Sequence, residues 1–328
     1  MPQQQLLFFG TPQFAATILQ PLIANPDWQI AAVVTQPDKP RGRGQQLMPT
    51  EVKSLALQHN IPVFQPLSLN ETSDDPELAR LREFLEHSPA FDAFLIVAYG
   101  RIVPRWLFSK PRVGSINVHG SILPRWRGAA PIQHAILAGD ATTGVCIMQI
   151  DAGLDSGPVF SQKEIPIASD DTTGSLHDKL AVLGAELLVA TLPQILAGTC
   201  PAQPQPALGI TYATKWEKKD TVLRWNEEVS LIARRIRACA PFPGLRAVFE
   251  GEEVKLLRAR VETSTSTRND VAPGTVVDVT RESIKLLANG GVLCVEQMQF
   301  PGKRPLEVKE ILKGRSINTG AVMTEPQL

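Results

Sequence analysis

Cysteine, net charge and long apolar runs are all scarce in this chain of 328 residues. Its four cysteines form no CxxC pair, which argues against a zinc site or a disulfide framework and favours a reducing compartment, the cytoplasm. Lys plus Arg and Asp plus Glu are each 33, so the chain has no bulk charge with which to bind a polyanion. No uninterrupted apolar run approaches the roughly 18 residues of a membrane helix, and the N-terminus lacks the basic start of a signal peptide. We therefore expect a cytoplasmic protein without a membrane partner.

The rest of the composition is typical of a globular protein with a large core. Hydrophobic residues make up 43% and charged residues 20% of the chain, and its length predicts two domains. In the first two hundred residues short apolar runs alternate with stretches of helical spacing, as expected where helices cover a mostly parallel sheet. The predicted strands are Leu6–Phe9, Gln29–Thr35, Asp92–Ala98, Ser115–His119 and Val145–Ile150. The predicted helices are Gln13–Ile23, Thr50–Gln58, Pro76–Glu86, Ala130–Ala138 and Ser175–Leu196.

A proline-rich stretch, Gly198–Pro206, precedes a second half of different texture. There, one helix (Val229–Ala238) is followed by short, closely spaced apolar runs broken by Gly, Pro and Asn-Gly turns, which favours a small antiparallel barrel. The predicted fold is therefore α/β: a Rossmann-like, mostly parallel sheet with helices on both faces, followed by a small C-terminal, OB-like β-barrel. We predict a first domain at 1–197, a linker at 198–211 and the barrel domain at 212–328.

The charges are unevenly shared between the two halves. Residues 208–328 hold 19 Lys and Arg against 15 Asp and Glu, and the preceding residues hold 14 against 18. A basic second half is weak evidence for an RNA partner, and a solvated surface explains the excess equally well.

Polar residues occur at one strand end within the stretch GSINVHGSILPRWRGAAPIQ (114–133). Asn117 and His119 are two apart, so in a strand their side chains share one face, while Ile116 and Val118 take the other. Gly120 follows, which puts the pair at the carboxyl end of the strand, where open α/β sheets bind ligands. Two satisfied polar residues at a strand end would give the same pattern.

A second candidate is the aspartate of the loop DAGLDSG (151–157), which follows another apolar strand. Asp155 can reach the crevice occupied by His119, although 36 residues separate the two in sequence. Asp-Ser-Gly is also good turn chemistry, so Asp155 can equally be a turn residue.

These residues resemble the methionyl-tRNA formyltransferases, within the superfamily of formyltransferases that use 10-formyltetrahydrofolate. The resemblance rests on SINVHGSILPRWRGAAPIQ, on DAGLDSG and on FFGTPQFA near the N-terminus. It continues through TQPDKPRGRG (35–44) and VAYGRIVP (97–104) and extends across the whole chain, more loosely after residue 210. It implies an enzyme that transfers formyl from 10-formyltetrahydrofolate to the α-amine of methionyl initiator tRNA, without a metal and without an obligate protein partner.

The resemblance also assigns roles by position. Asn117, His119 and Asp155 match the catalytic trio of the family, and the loop Ser121, Ile122, Leu123 and Pro124 matches its folate contacts. The basic segment with Lys39, Arg41 and Arg43 would contact tRNA, and its prolines and glycines predict a mobile loop that continues neither helix nor strand.

Three alternatives remain open at this stage. A hydrolase would release formate from formyltetrahydrofolate with water in place of the amine, and a related enzyme would formylate glycinamide ribonucleotide or a sugar nucleotide. A catalytically silent RNA-binding protein on the same fold is the third.

Overall fold

The computed structural model describes residues 3–41, 46–262 and 271–327. The chain forms two compact units. The first comprises Met1–Pro131, Thr143–Ile165 and His177–Ala213, and the second comprises Ile132–Thr142, Pro166–Leu176 and Thr214–Leu328.

The chain up to residue 213 alternates strands and helices. The strands are β1 (Gln4–Gly10), β2 (Trp28–Val34), β3 (Lys39–Arg41), β4 (Gln46–Met48), β5 (Val63–Phe64), β6 (Ala93–Val97), β7 (Ser115–His119), β8 (Arg127–Gly128), β9 (Thr142–Gln149), β10 (Val159–Pro166) and β11 (Tyr212–Ala213). The helices are α1 (Gln13–Ala24), α2 (Glu51–Gln58), α3 (Pro76–His87), α4 (Arg105–Phe108), α5 (Pro131–Ala138) and α6 (Thr173–Leu196).

The main sheet has the order β10-β9-β7-β6-β1-β2-β5. The pairs β7–β6, β6–β1, β1–β2 and β2–β5 are parallel, and β9 runs antiparallel to β7. All five residues of β6 are buried, as expected of a central parallel strand covered on both faces. The predicted Rossmann-like, mostly parallel fold is confirmed. Because β1, β2, β6 and β7 are parallel, their carboxyl ends meet at one edge of the sheet.

The helix starts follow local chemistry. The Thr50 hydroxyl caps α2 by accepting from the Lys53 N–H, and Asp75 caps α3 ahead of Pro76 at the first helical position. Each predicted helix of this half is present, with ends that shift by at most two residues.

The segment 38–44 differs from its prediction. Lys39–Arg41 is a strand that pairs antiparallel with Gln46–Met48, so the expectation that this segment cannot continue a strand is wrong for its first half. A three-residue ladder tolerates Pro40 because an edge strand can leave one N–H position unused. Residues 42–45, with Arg43, lie outside the described residues.

Helix α6 is the longest helix described, with 24 residues. An 18-residue window of it has a mean hydropathy of 1.5, enough in length and composition to cross a membrane, but 56% of that window is buried inside the protein. Asp178, Lys179 and Glu186 interrupt the apolar run without ending the helix, which explains why a search for uninterrupted runs misses it. Its burial is that of a core helix.

The second half contains a curled antiparallel sheet. Its strands are β12 (Leu245–Phe249), β13 (Glu252–Glu262), β14 (Val276–Val279), β15 (Ile284–Ala288), β16 (Gly291–Gln299), β17 (Leu306–Glu307) and β18 (Met323–Thr324), and its helices are α7 (Val229–Cys239) and α8 (Val308–Ile311). The order is β14-β15-β16-β13-β12-β18, with β17 on β16. A bridge between Thr275 and Val322 joins the β14 edge to the chain that enters β18. This curled sheet confirms the predicted small antiparallel barrel as a half-barrel.

Its core is built by α7 and the inner face of the sheet. Ile232 and Ile236 on α7 belong to the same buried cluster as Phe249, Leu256 and Met298. Ile232 and Ile236 are four residues apart, so both side chains lie on the apolar face of α7.

The cysteines give a test of this packing. Burial raises the pKa of Cys146 to about 11, of Cys239 to about 12 and of Cys294 to about 11, while Cys200 is half-exposed. Because the thiolate is the reactive form, we expect one fast equivalent of thiol per chain with Ellman's reagent at pH 8, and four after denaturation. Cys200→Ser should abolish the fast phase. A second fast thiol in the native protein would contradict the buried placement.

Candidate active site

Strand β7 presents the two candidate polar side chains as predicted. Asn117 pairs in register with Ile96 of β6 and Met148 of β9, and His119 pairs with Cys146 of β9. Ile116 and Val118 are buried on the opposite face. Asn117 is half-buried and His119 only 6% exposed, at the carboxyl edge of the sheet.

The imidazole of His119 lies between two acceptors. Its Nε2 is 2.9 Å from the carbonyl oxygen of Trp126, and because a carbonyl only accepts, Nε2 carries a proton and donates. Its Nδ1 is 3.6 Å from Oδ2 of Asp155, an ion-pair distance slightly too long for a direct hydrogen bond. Each ring nitrogen of His119 therefore faces an oxygen, Nε2 that of the Trp126 carbonyl and Nδ1 that of the Asp155 carboxylate.

Asp155 is held by the backbone around it. Its Oδ2 also accepts from the Gly128 N–H at 2.7 Å, and its side chain is 18% exposed. The residue has φ +46°, a left-handed conformation that Asp tolerates better than most residues. Gly157 is required two residues later, because a Cβ there would lie 1.9 Å from the Gln149 carbonyl oxygen. Asp155 is thus both a turn residue and a neighbour of His119.

The amide of Asn117 has a different environment. Within the described ranges its side chain makes no hydrogen bond, although it is half-buried next to His119. An amide in this position is available to donate to a bound molecule.

The predicted folate loop follows directly. Ser121 is fully buried, and its hydroxyl donates to the Arg125 carbonyl at 2.6 Å, so this group is committed to its own loop. The Leu123 N–H donates to Cys146 Sγ at 3.3 Å, which ties the loop to β9. Ile122 lies over Gly144, where a Cβ would meet its Cδ1 at 2.4 Å, and the Pro124 carbonyl accepts from the Thr211 N–H at 3.4 Å. Folate contact by these four residues stays a prediction.

The predicted tRNA-binding segment begins at the same edge of the sheet. Lys39 Nζ donates to Gln36 Oε1 at 3.1 Å, and Gln36 Nε2 donates to the Tyr99 carbonyl in the loop after β6. Asp38 accepts from Lys53 Nζ at 2.6 Å and from Gln65 Nε2 at 2.8 Å. Burial raises the pKa of Asp38, but these hydrogen bonds and the Lys53 charge outweigh it and lower the pKa overall. The start of the segment is thus held in place by the hydrogen bonds of Asp38 with Lys53 and Gln65.

Residues 203–213 contribute contacts to the site that the sequence did not predict. Gln205 Nε2 donates to the carbonyl oxygens of Asp155 and Gly157, and its Oε1 accepts from Arg127. The Trp126 N–H donates to Thr211 Oγ1 at 2.9 Å, and β11 pairs in parallel with β8. The segment predicted as a linker therefore belongs to the first compact unit. The local sequence feature that indicates structure here is the strand-like run Thr-Tyr-Ala after the prolines.

The chemistry available at this edge is that of acyl-group transfer. In the described part of the chain, no group of three or more His, Cys, Asp or Glu side chains could hold a metal ion. An amide donor beside an imidazole and a carboxylate can stabilise an oxyanion and move a proton.

The comparisons with known proteins agree with this chemistry. The family described as formyl transferase matches residues 4–192, and its C-terminal domain matches residues 215–316. The fold is therefore that of a formyl transferase.

Relatives that match nearly the whole chain identify the family within the formyl transferases. The methionyl-tRNA formyltransferase of Dechloromonas aromatica is 45% identical over 316 residues, covering 96% of this chain and 97% of that protein. That of Delftia acidovorans is 42% identical, covering 97% of each chain. The chain belongs to the methionyl-tRNA formyltransferase family. A solved structure of WlaRD, a sugar 3N-formyl transferase, shares the fold with a TM-score of 0.63 at 18% identity, covering 93% of this chain and 100% of that chain.

Proposed function

We propose that this protein transfers the formyl group of 10-formyltetrahydrofolate to the α-amino group of methionyl initiator tRNA in the cytoplasm. Relatives that carry this name over nearly the full chain support the substrate pair. The observation that carries the proposal is the meeting of Asn117, His119 and Asp155 at the carboxyl edge of β7.

The reaction explains why these side chains are needed. The neutral amine attacks the formyl carbon and forms a C–N bond, which produces a tetrahedral oxyanion and an ammonium nitrogen. The bond from that carbon to folate N10 then breaks, so the amine loses a proton and N10 gains one. The unengaged amide of Asn117 donates to the oxyanion, and one such donor contributes on the order of 3 kcal/mol.

His119 and Asp155 handle charge and protons in this proposal. His119 supplies a second donor beside the developing oxyanion, and the Asp155 carboxylate lies 3.6 Å from its Nδ1. Because the contact of Nδ1 with Asp155 is long, an oxygen of the reacting centre or a water molecule can lie beside both groups and pass a proton. Such a relay typically contributes ~10² to 10⁴ in rate.

Binding of the two substrates involves the neighbouring segments. The loop 121–124 would contact folate through Ile122, Leu123 and Pro124, since the Ser121 hydroxyl is engaged within the loop. Lys39, Arg41 and Arg43 would contact the acceptor end of tRNA. In the predicted division, the catalytic domain is 1–197, the connecting segment 198–211 and the C-terminal domain 212–328. The basic C-terminal domain would bind the tRNA body.

A single assay tests the proposal against its alternatives. The protein is incubated with 10-formyltetrahydrofolate and methionyl-tRNA of the initiator or elongator type, and the ester is examined for formylmethionine. We expect formylation of the initiator species and little formate release without tRNA. Formate release at the same rate without tRNA would instead identify a hydrolase, and no turnover of either kind would favour a silent RNA-binding protein.

Asp155→Asn should reduce activity more than its small change in volume suggests. The variant keeps an oxygen for the Gly128 N–H but removes the negative charge beside His119 Nδ1. We expect kcat to fall at least about tenfold and the pH–rate profile to change, because the carboxylate that takes part in the proposed proton relay is gone. The measurement is kcat between about pH 5.5 and 9. An unchanged rate and profile would leave Asp155 as a turn residue only.

A further inference from the structure

We infer that Gln205, in the segment 198–211, is a positioning residue that holds the Asp155 turn in the geometry needed for formyl transfer. Its side-chain amide is fully used. Nε2 donates to the carbonyl oxygens of Asp155 and Gly157, both at 2.8 Å. Oε1 accepts from Arg127 Nε at 3.1 Å and from a terminal guanidinium nitrogen at 2.7 Å. An amide with two donors and two acceptor positions can do no more.

These bonds constrain the turn that carries the carboxylate. Asp155 has φ +46°, a region that residues with a Cβ rarely adopt unless their surroundings enforce it. Gln205 binds the carbonyl of this residue and the carbonyl two positions later, so it fixes the backbone on both sides of Ser156. The position of the Asp155 carboxylate therefore depends on a side chain 50 residues away in sequence.

The amide oxygen of Gln205, Oε1, holds the strand whose Gly128 N–H binds the Asp155 carboxylate. Arg127 is 9% exposed and begins β8, and the next residue, Gly128, donates its N–H to Asp155 Oδ2 at 2.7 Å. The preceding residue, Trp126, provides the carbonyl that accepts from His119 Nε2. One glutamine thus links the turn of Asp155 to the strand that orients both Asp155 and His119.

Glutamate at this position would separate the contact with the Asp155 turn from the contact with Arg127. Gln205→Glu has the same shape and keeps an acceptor for the Arg127 guanidinium. Its carboxylate cannot donate, so it faces two carbonyl oxygens without a hydrogen and repels the turn. The substitution loosens Asp155 while leaving Arg127 paired.

The first measurement follows the turn itself and needs no activity. Hydrogen exchange of a peptide spanning 151–158 is compared in the parent, Gln205→Glu, Gln205→Ala and Gln203→Ala. Gln203 is a matched control, because its exposed side chain makes no hydrogen bond in the described structure and only its backbone pairs with Val159. We expect faster exchange in both Gln205 variants and parental exchange in Gln203→Ala. Unchanged exchange in Gln205→Glu would overturn the inference.

The second measurement rests on the proposed function. In formyl transfer, Gln205→Glu should lower kcat at least about tenfold with KM for folate within about threefold, since misplaced catalytic groups affect turnover more than binding. In an Asp155→Asn background the same substitution should cost little more, because Gln205 acts through Asp155.

The outcomes are separable. A parent that does not formylate methionyl-tRNA would refute the proposed function, while the exchange experiment still reports on Gln205. An active parent whose Gln205→Glu variant keeps parental kcat would refute the positioning role, as would a loss that persists in full beside Asp155→Asn. Should Gln205→Ala fail to fold, the isosteric Gln205→Glu carries both measurements.

Discussion

Asn117→Ala should lower kcat for formyl transfer at least ~10²-fold while folate binding falls much less. The amide makes no hydrogen bond within the described structure, so its removal breaks none in the resting protein. Its contribution arises only when the formyl oxygen becomes charged, and an interaction made only in the transition state affects kcat and kcat/KM alike. The measurements are kcat with methionyl-tRNA and the Kd of a folate analogue.

Two companion variants make this prediction specific. Asn117→Asp keeps the shape but replaces the donor with a charged acceptor, so it should be at least as inactive as Asn117→Ala. His119→Ala should also lose at least ~10²-fold, whereas His87→Ala, at the exposed end of α3, should keep parental activity. Because Asn117 and His119 act on the same charge, the double variant should lose much less than the product of the single losses. Turnover within a few-fold of the parent would remove the substituted residue from the mechanism.

The sequence predicted the strand of the site because the signal there is local. In β7, Ile116 and Val118 alternate with polar residues and Gly120 ends the run, so the period of two and the strand end are both visible within six residues. The alternation of strands and helices around it predicted the parallel sheet for the same reason. Local periodicity also located α7 and the strands of the half-barrel.

What the sequence could not predict depends on distant contacts. Gln205 lies 50 residues from Asp155 and 78 from Arg127, and nothing in its neighbourhood distinguishes it from Gln203. The residue before β3 likewise has distant partners: Asp38 binds Lys53, 15 residues away, and Gln65, 27 residues away. In both cases a side chain binds groups that are distant in sequence and that only the folded chain brings near. The resemblance predicted the catalytic trio, and the structure shows which residues contact two of its members, His119 and Asp155.

Strands β3 and β4 lie on either side of the middle of the proposed tRNA-binding segment. They form a short antiparallel ladder, and Asp38, which directly precedes β3, is tied to α2 through Lys53. Lys39 is already engaged with Gln36. The next two basic residues, Arg41 and Arg43, are the candidates for contact with the acceptor end.

Arg43→Ala should lower kcat/KM for methionyl-tRNA by about 10- to 100-fold, the effect of losing one bidentate contact of ~1–3 kcal/mol. A guanidinium offers a planar fork of donors that fits a phosphate or a guanine edge, and an ammonium does not, so Arg43→Lys should recover little. Arg41→Ala, two residues earlier in the chain, should lose less. Slow formate release from 10-formyltetrahydrofolate involves no tRNA and should be nearly unchanged in all three variants, which separates tRNA binding from the catalytic trio. If formylation of methionyl-tRNA survives Arg43→Ala at the parental kcat/KM over a range of salt concentrations, the segment 38–44 is not a recognition element, and tRNA discrimination must lie elsewhere.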